Sequence, residues 1–159
     1  MSVDPSASAR DRIVVGVDSS PQSLQALRWA VFLAHTTGSI VEVVAVWHPL
    51  AAYSAATVGW KGMPTEWDPG HEARTVLVDT LDAAFGEHQP AGLQITVREG
   101  GAARVLLEVS SDARMLVVGS RGHGGFTGLL LGSVSAAVAD HATCPVLVVH
   151  GTTTPPPPT

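Results

Sequence analysis

Five short apolar runs, each separated from the next by residues recurring at helical spacing, constrain this chain more than any other feature. The runs are Arg12–Val17 (RIVVGV), Ile40–Trp47 (IVEVVAVW), Leu93–Arg98 (LQITVR), Met115–Val118 (MLVV) and Val146–His150 (VLVVH). Most are nearly continuous in β-branched and aliphatic residues, so the strands they predict are covered on both faces. Between them lie four stripes at helical period: Leu24, Leu27, Val31 and Ala34; Ala73, Val76, Leu77, Leu81 and Ala84; Ala102, Val105, Leu106 and Val109; Val134, Ala137, Val138 and His141. Ser19, Ser20 and Pro21 open the first helix and Gly38 closes it, while Pro145 stops the last one. Strand and helix in repeated alternation predict an open parallel α/β sheet with helices on both faces.

The domain reads as residues 12–150, with a tail over 1–11 and a proline-rich tail over 151–159 (GTTTPPPPT) that favours extended polyproline II. Residues 48–72 interrupt the pattern with prolines, glycines, Trp60 and Trp67, and read as a covering loop. With 45% apolar and 14% charged residues among 159, the chain is no disordered polyelectrolyte. A net charge of −5, with eight arginines and Lys61 forming no cluster, excludes a nucleic-acid duplex as the expected partner. The single cysteine, Cys144, excludes an internal disulfide and a cysteine zinc site, and suits a reducing, cytoplasmic setting. No run approaches the roughly 18 apolar residues of a membrane span, and MSVDPSASAR lacks a signal-peptide core, so no membrane partner is expected.

The most informative stretch is Met115–Val138, where a strand ends at Gly119 and six glycines occur between positions 119 and 132 before a helix opens at Ser133. Such a loop lets backbone N–H groups approach a ligand, and the helix start adds unpaired donors and partial positive charge. Together they predict an anion site whose commonest occupant is phosphate. A Walker A loop is excluded, because Lys61 is the only lysine and lies elsewhere. The dinucleotide pattern G-x-G-x-x-G fits Gly122 and Gly124 but then meets Thr127. Gly132-Ser-Val-Ser-Ala lacks the last glycine of a nucleophile elbow. Asp140 and His141 share the predicted helix of Ser135, so no serine triad converges. What remains is Gly119-x2-Gly122-x9-Gly132-Ser133.

That spacing, between a fourth strand and a fourth helix, resembles the nucleotide-binding motif of the universal stress protein family. The opening RIVVGVDSS, the turn REGGA at Arg98–Ala102 and the closing CPVLVVH at Cys144–His150 also resemble family signatures, in the same order. The resemblance implies a Rossmann-like sheet of order 3-2-1-4-5, with a ligand beyond the strand carboxyl ends where strands 1 and 4 diverge. It implies ATP as ligand, with Mg²⁺ or Mn²⁺, bound without rapid turnover, so no catalytic residue is expected. By position, Val17, Asp18 and Val46 would contact the adenine, and Gly16 and Gly100 would allow close approach. Gly119 and Gly122 would admit the ribose and phosphates. Gly132, Ser133, Val134 and Ser135 would hold phosphates at a helix start that Ser133 caps, with Arg121 and His123 as nearby cations. Plainer readings exist: Asp18 favours the first helix dipole, and Gly16 serves packing. A homodimer through the apolar edge strand Val146–His150 is expected. The competing reading is a dimeric interaction module that binds no nucleotide.

Overall fold

In the computed structural model, which describes residues 11–48, 68–122, 128 and 130–157, strands and helices alternate along the chain. They are β1 (Arg12–Val17), α1 (Pro21–Thr37), β2 (Ile40–Trp47), α2 (Pro69–Phe85), β3 (Gln94–Glu99), α3 (Ala102–Val109), β4 (Met115–Gly119), α4 (Ser133–His141) and β5 (Val146–Val149). All strand pairs are parallel, in the order β3-β2-β1-β4-β5. The expected fold class and order are therefore the observed ones. β3 runs one residue later than its predicted span, and β5 stops at Val149, one residue short of His150. The segment 49–67, with Trp60 and Trp67, lies outside the described residues.

Two-sided burial explains the unbroken apolar runs. Ile13, Val15 and Val17 of β1 face the same layer as Val41, Val43 and Ala45 of β2, packed against Ala26 and Leu27 of α1 and Leu77 and Leu81 of α2. Val14, Val44, Leu116 and Val118 face the other layer, against Val105 and Leu106 of α3 and Val138 of α4. The stripes are narrower than the sequence suggests. Val76 is 42% exposed among the described residues, where α2 packs on β2, β3 and α1 with its other flank outward. His141 is exposed at the end of α4.

Helix α1 begins where capping chemistry allows. Ser20 Oγ accepts from Ser23 N–H at 3.2 Å with Pro21 in the first turn, and Gly38 ends the helix at φ 67°. At the amino ends of the strands, Arg12 binds Glu42 (2.8 Å), Asp112 (2.6 Å) and the Val109 carbonyl (2.9 Å), while Thr96 donates to Glu42 at 2.6 Å. This charged network sits at the sheet end away from the glycine loop. No helix among the described residues is long and apolar enough to cross a membrane.

Candidate functional site

The order β2-β1-β4 makes β1 and β4 neighbours whose following helices leave to opposite faces of the sheet. A crevice must open between such diverging connections, beyond the strand carboxyl ends. A cleft of about 250 Å³ lies there.

Its wall divides by chemistry. On the β2–α3 side stand Val44, Val46, Ala102 and Leu106; on the β4–α4 side stand Gly119, Arg121, Gly122 and the residues from Leu131 to Ser135. Gly16, Val17, Asp18 and Ser23 lie between them, with Val118 at the base of the β4 side. One side is thus apolar and the other is built from glycine backbone and a helix start.

The glycine loop is tied at both ends. Ser120 N–H donates to the Val149 carbonyl at 2.8 Å, and Gly132 N–H donates to the Ser120 carbonyl at 2.7 Å. The Ser135 hydroxyl donates to the Gly119 carbonyl at 2.5 Å. These bonds fasten the end of β4 to the beginning of α4, so the intervening residues leave from and return to one point. A Cβ at Gly132 would stand 3.4 Å from the Arg121 Cα and 3.5 Å from the Ser120 oxygen, ordinary van der Waals contacts, so packing alone does not demand glycine there.

Helix α4 carries no side-chain cap. Its N-cap is Gly132, not Ser133, and its first helical bond runs from Ala136 N–H to the Gly132 carbonyl at 2.9 Å. The amides of Ser133, Val134 and Ser135 precede that bond and are the orphan donors of the first turn. Ser133 itself is exposed at the first helical position. A glycine N-cap leaves these donors available to a ligand, where a capping serine would engage one of them.

Asp18 is placed by a strained turn. Ser19 adopts φ 66°, rare for a residue with a side chain, and its hydroxyl meets that of Thr80 at 3.2 Å. Asp18 Oδ1 accepts from Ser20 N–H at 3.0 Å, and Asp18 N–H donates to Ser23 Oγ at 3.3 Å. The other carboxylate oxygen faces Gly122 so closely that a Cβ there would collide with it. A side chain at 122 would force the Asp18 carboxylate or the loop to shift.

Two further glycines have packing reasons. A Cβ at Gly119 would lie 2.9 Å from the Gln22 carbonyl carbon, so its absence lets α1 approach β4. A Cβ at Gly16 would lie 2.9 Å from Leu106 Cδ1, so α3 rests closely on β1. Gly100 does not line the cleft: at φ 143° it makes the turn into α3, donates to the Trp47 carbonyl at 2.9 Å, and leaves Ala102 as the wall residue. His123 lies outside the described residues. The other expected residues, Gly16, Val17, Asp18, Val46, Gly119, Arg121, Gly122, Gly132, Ser133, Val134 and Ser135, all line the one cleft.

Sequence reasoning missed Ser23, Val44, Ala102, Leu106, Val118 and Leu131. Val44 was readable, because strand period two puts it on the face of Val46. Leu106 reads as core by periodicity, and only the crossing of α3 over β1 brings it to the cleft.

Comparison with known proteins gives this geometry a context. A profile described as the Universal stress protein family matches residues 9–150. A universal stress protein of Mycolicibacterium smegmatis is 36% identical over 148 residues, covering 87% of this chain and 48% of that relative. The chain spans about half the length of the curated relatives it matches most strongly. The universal stress protein UspA from Lactobacillus plantarum superposes with a TM-score of 0.66 at 20% identity, over 90% of this chain and 99% of that one. A universal stress protein solved in complex with cAMP superposes with a TM-score of 0.64 at 25% identity, over 90% and 99% of the two chains. By the matched span of its sequence, reinforced by the same sheet order, the chain belongs to the universal stress protein family.

Proposed function

We propose that this chain binds an adenine nucleotide, ATP above all, and acts through the bound state rather than through rapid turnover, in a stress-response or signalling role. The observation that carries the reading is the divided wall of the cleft: Val44, Val46 and Leu106 on one side, the uncapped start of α4 on the other. A flat apolar base suits the first side. A phosphate suits the second, where backbone donors and the helix dipole favour negative charge. Asp18, between them, accepts from the adenine amine or a ribose hydroxyl. Arg121 is the cation within reach of the phosphates. The cAMP complex of a structural neighbour supports a nucleotide of this class.

The ion that accompanies a triphosphate, Mg²⁺ or Mn²⁺, is held chiefly by phosphate oxygens in this reading. Among the described residues no three His, Cys, Asp or Glu side chains stand together, and Asp18 is the one carboxylate of the cleft wall. In this reading Asp18 holds the base or ribose rather than activating a water, so binding is proposed rather than catalysis.

Native purification, denaturation and mass spectrometry of the released molecule test the reading, followed by calorimetric titration of ATP with Mg²⁺, of AMP and of cAMP. Saturable binding of any of these at one site per chain is expected, with ATP tightest. A folded protein that releases no nucleotide and binds none overturns it in favour of an interaction module.

Dimerisation belongs to both readings. β5 is an edge strand built of valine and leucine, with Val146, Leu147 and Val148 half-buried. An apolar edge with unpaired backbone groups invites pairing with its twin. Val148→Lys is expected to lower the mass in sedimentation equilibrium from two chains to one; an unchanged mass refutes the contact.

A further inference from the structure

The carboxyl-terminal segment does not leave the domain as a free tail. After β5 the chain turns at Gly151, φ 57°, and Thr153 bonds back to the His150 carbonyl through both its hydroxyl (2.9 Å) and its N–H (3.4 Å). The indole N–H of Trp29, on α1, then donates to the Thr153 carbonyl at 2.9 Å. The Trp29 ring stands edge-to-face with Phe32, centroids 5.8 Å apart. Two residues beyond the anchor, Pro155 is half-buried, while Thr154, Pro156 and Pro157 are exposed.

We infer that the Trp29–Phe32 face of α1 is a binding site for an extended proline-rich peptide, occupied in this chain by its own carboxyl-terminal segment. Consecutive prolines have no N–H to donate and are already close to polyproline II, so they dock with little loss of chain entropy. Their carbonyls, and the carbonyl of the preceding residues, still need donors. A tryptophan offers an N–H for such a carbonyl and a flat apolar ring for the pyrrolidines. Trp29 makes the carbonyl bond at Thr153, two residues ahead of the run that begins at Pro155. None of Trp29, Phe32 and Thr153 lines the cleft at the other end of α1.

The test uses the 159-residue chain labelled with ¹⁵N. The Trp29 indole signal is identified by its loss in Trp29→Phe. In wild type, Thr153 is expected to relax as ordered backbone, and the Trp29 indole N–H to exchange at least about tenfold more slowly than an exposed indole. In a variant carrying Pro155→Ser, Pro156→Ser, Pro157→Ser and Pro158→Ser, Thr153 is expected to relax as a free chain end and the indole signal to shift. Adding the synthetic peptide GTTTPPPPT then returns that signal towards its wild-type position, and GTTTSSSST does not. Three outcomes overturn the inference. They are free-end relaxation of Thr153 in wild type, an indole signal unmoved by the four serines, and a released Trp29 that the proline peptide does not move.

Discussion

Gly122→Val is expected to weaken binding of ATP with Mg²⁺ by at least about 100-fold, near 2.8 kcal/mol. The cause is local and geometric. Any Cβ at position 122 collides with the Asp18 carboxylate. Turning Asp18 aside would cost the bond that its Oδ1 accepts from the Ser20 N–H at the start of α1. The valine therefore either displaces Asp18 from the middle of the cleft or pushes the glycine loop away from α4. Either movement separates the base side of the site from the phosphate side. Since residue 122 is exposed, overall stability should change by less than about 1 kcal/mol, so lost binding will not reflect unfolding. Ser133→Ala is the contrasting variant. Its hydroxyl is exposed and caps nothing, and its backbone amide survives the substitution, so affinity should fall less than about fivefold. Calorimetric titration of the two variants beside wild type decides the matter; equal affinities for Gly122→Val and wild type would remove Asp18 and Gly122 from the site.

Arg12→Met is expected to destabilise the fold by about 3 kcal/mol, the low end of the range for breaking a buried ion pair. The Glu42 side chain is 8% exposed, and without Arg12 it keeps only the Thr96 hydroxyl among its hydrogen-bond partners. A buried carboxylate with one neutral donor is costly. Removing the other partner costs less. In Glu42→Leu the arginine, 22% exposed, still has Asp112 and the Val109 carbonyl as well as water. The double variant Arg12→Met, Glu42→Leu should recover most of the loss, because leucine beside Val14 and Val44 extends the apolar layer under α3. Urea midpoints at constant m-value read all three. If Arg12→Met and Glu42→Leu lose equal stability, the asymmetric burial of the pair does not govern its energetics.

The fold was legible because its strongest signals are local. Continuous apolar runs and helical stripes mark buried parallel strands and their crossover helices without long-range information. Boundaries set by capping, such as Ser20 and Gly38 around α1, were equally readable. Reading failed where a local rule met a tertiary neighbour. Ser133 looked like an N-cap because serine favours that position, yet the bond between Gly132 N–H and the Ser120 carbonyl places the helix start one residue earlier. Gly119 lines the cleft, and the backbone of Gln22 also stands against it, a second reason for glycine that only the fold reveals. Ser135 lines the cleft and its amide is a first-turn donor, while its hydroxyl bonds the Gly119 carbonyl, a tie that only the fold reveals. Gly100 matched a family turn, and the cleft wall is made by Ala102.

The sequence by itself determined the sheet, its parallel sense and the glycine-loop spacing, because hydrophobic period and glycine placement act within a few residues along the chain. Only the tertiary structure decided which of those glycines line the cleft and which face a neighbouring helix. It alone joined Leu106 and Ala102 to the cleft, set Asp18 against Gly122, and laid the carboxyl-terminal segment on Trp29. Each of these depends on the distance between elements far apart in sequence, and packing across the sheet sets that distance.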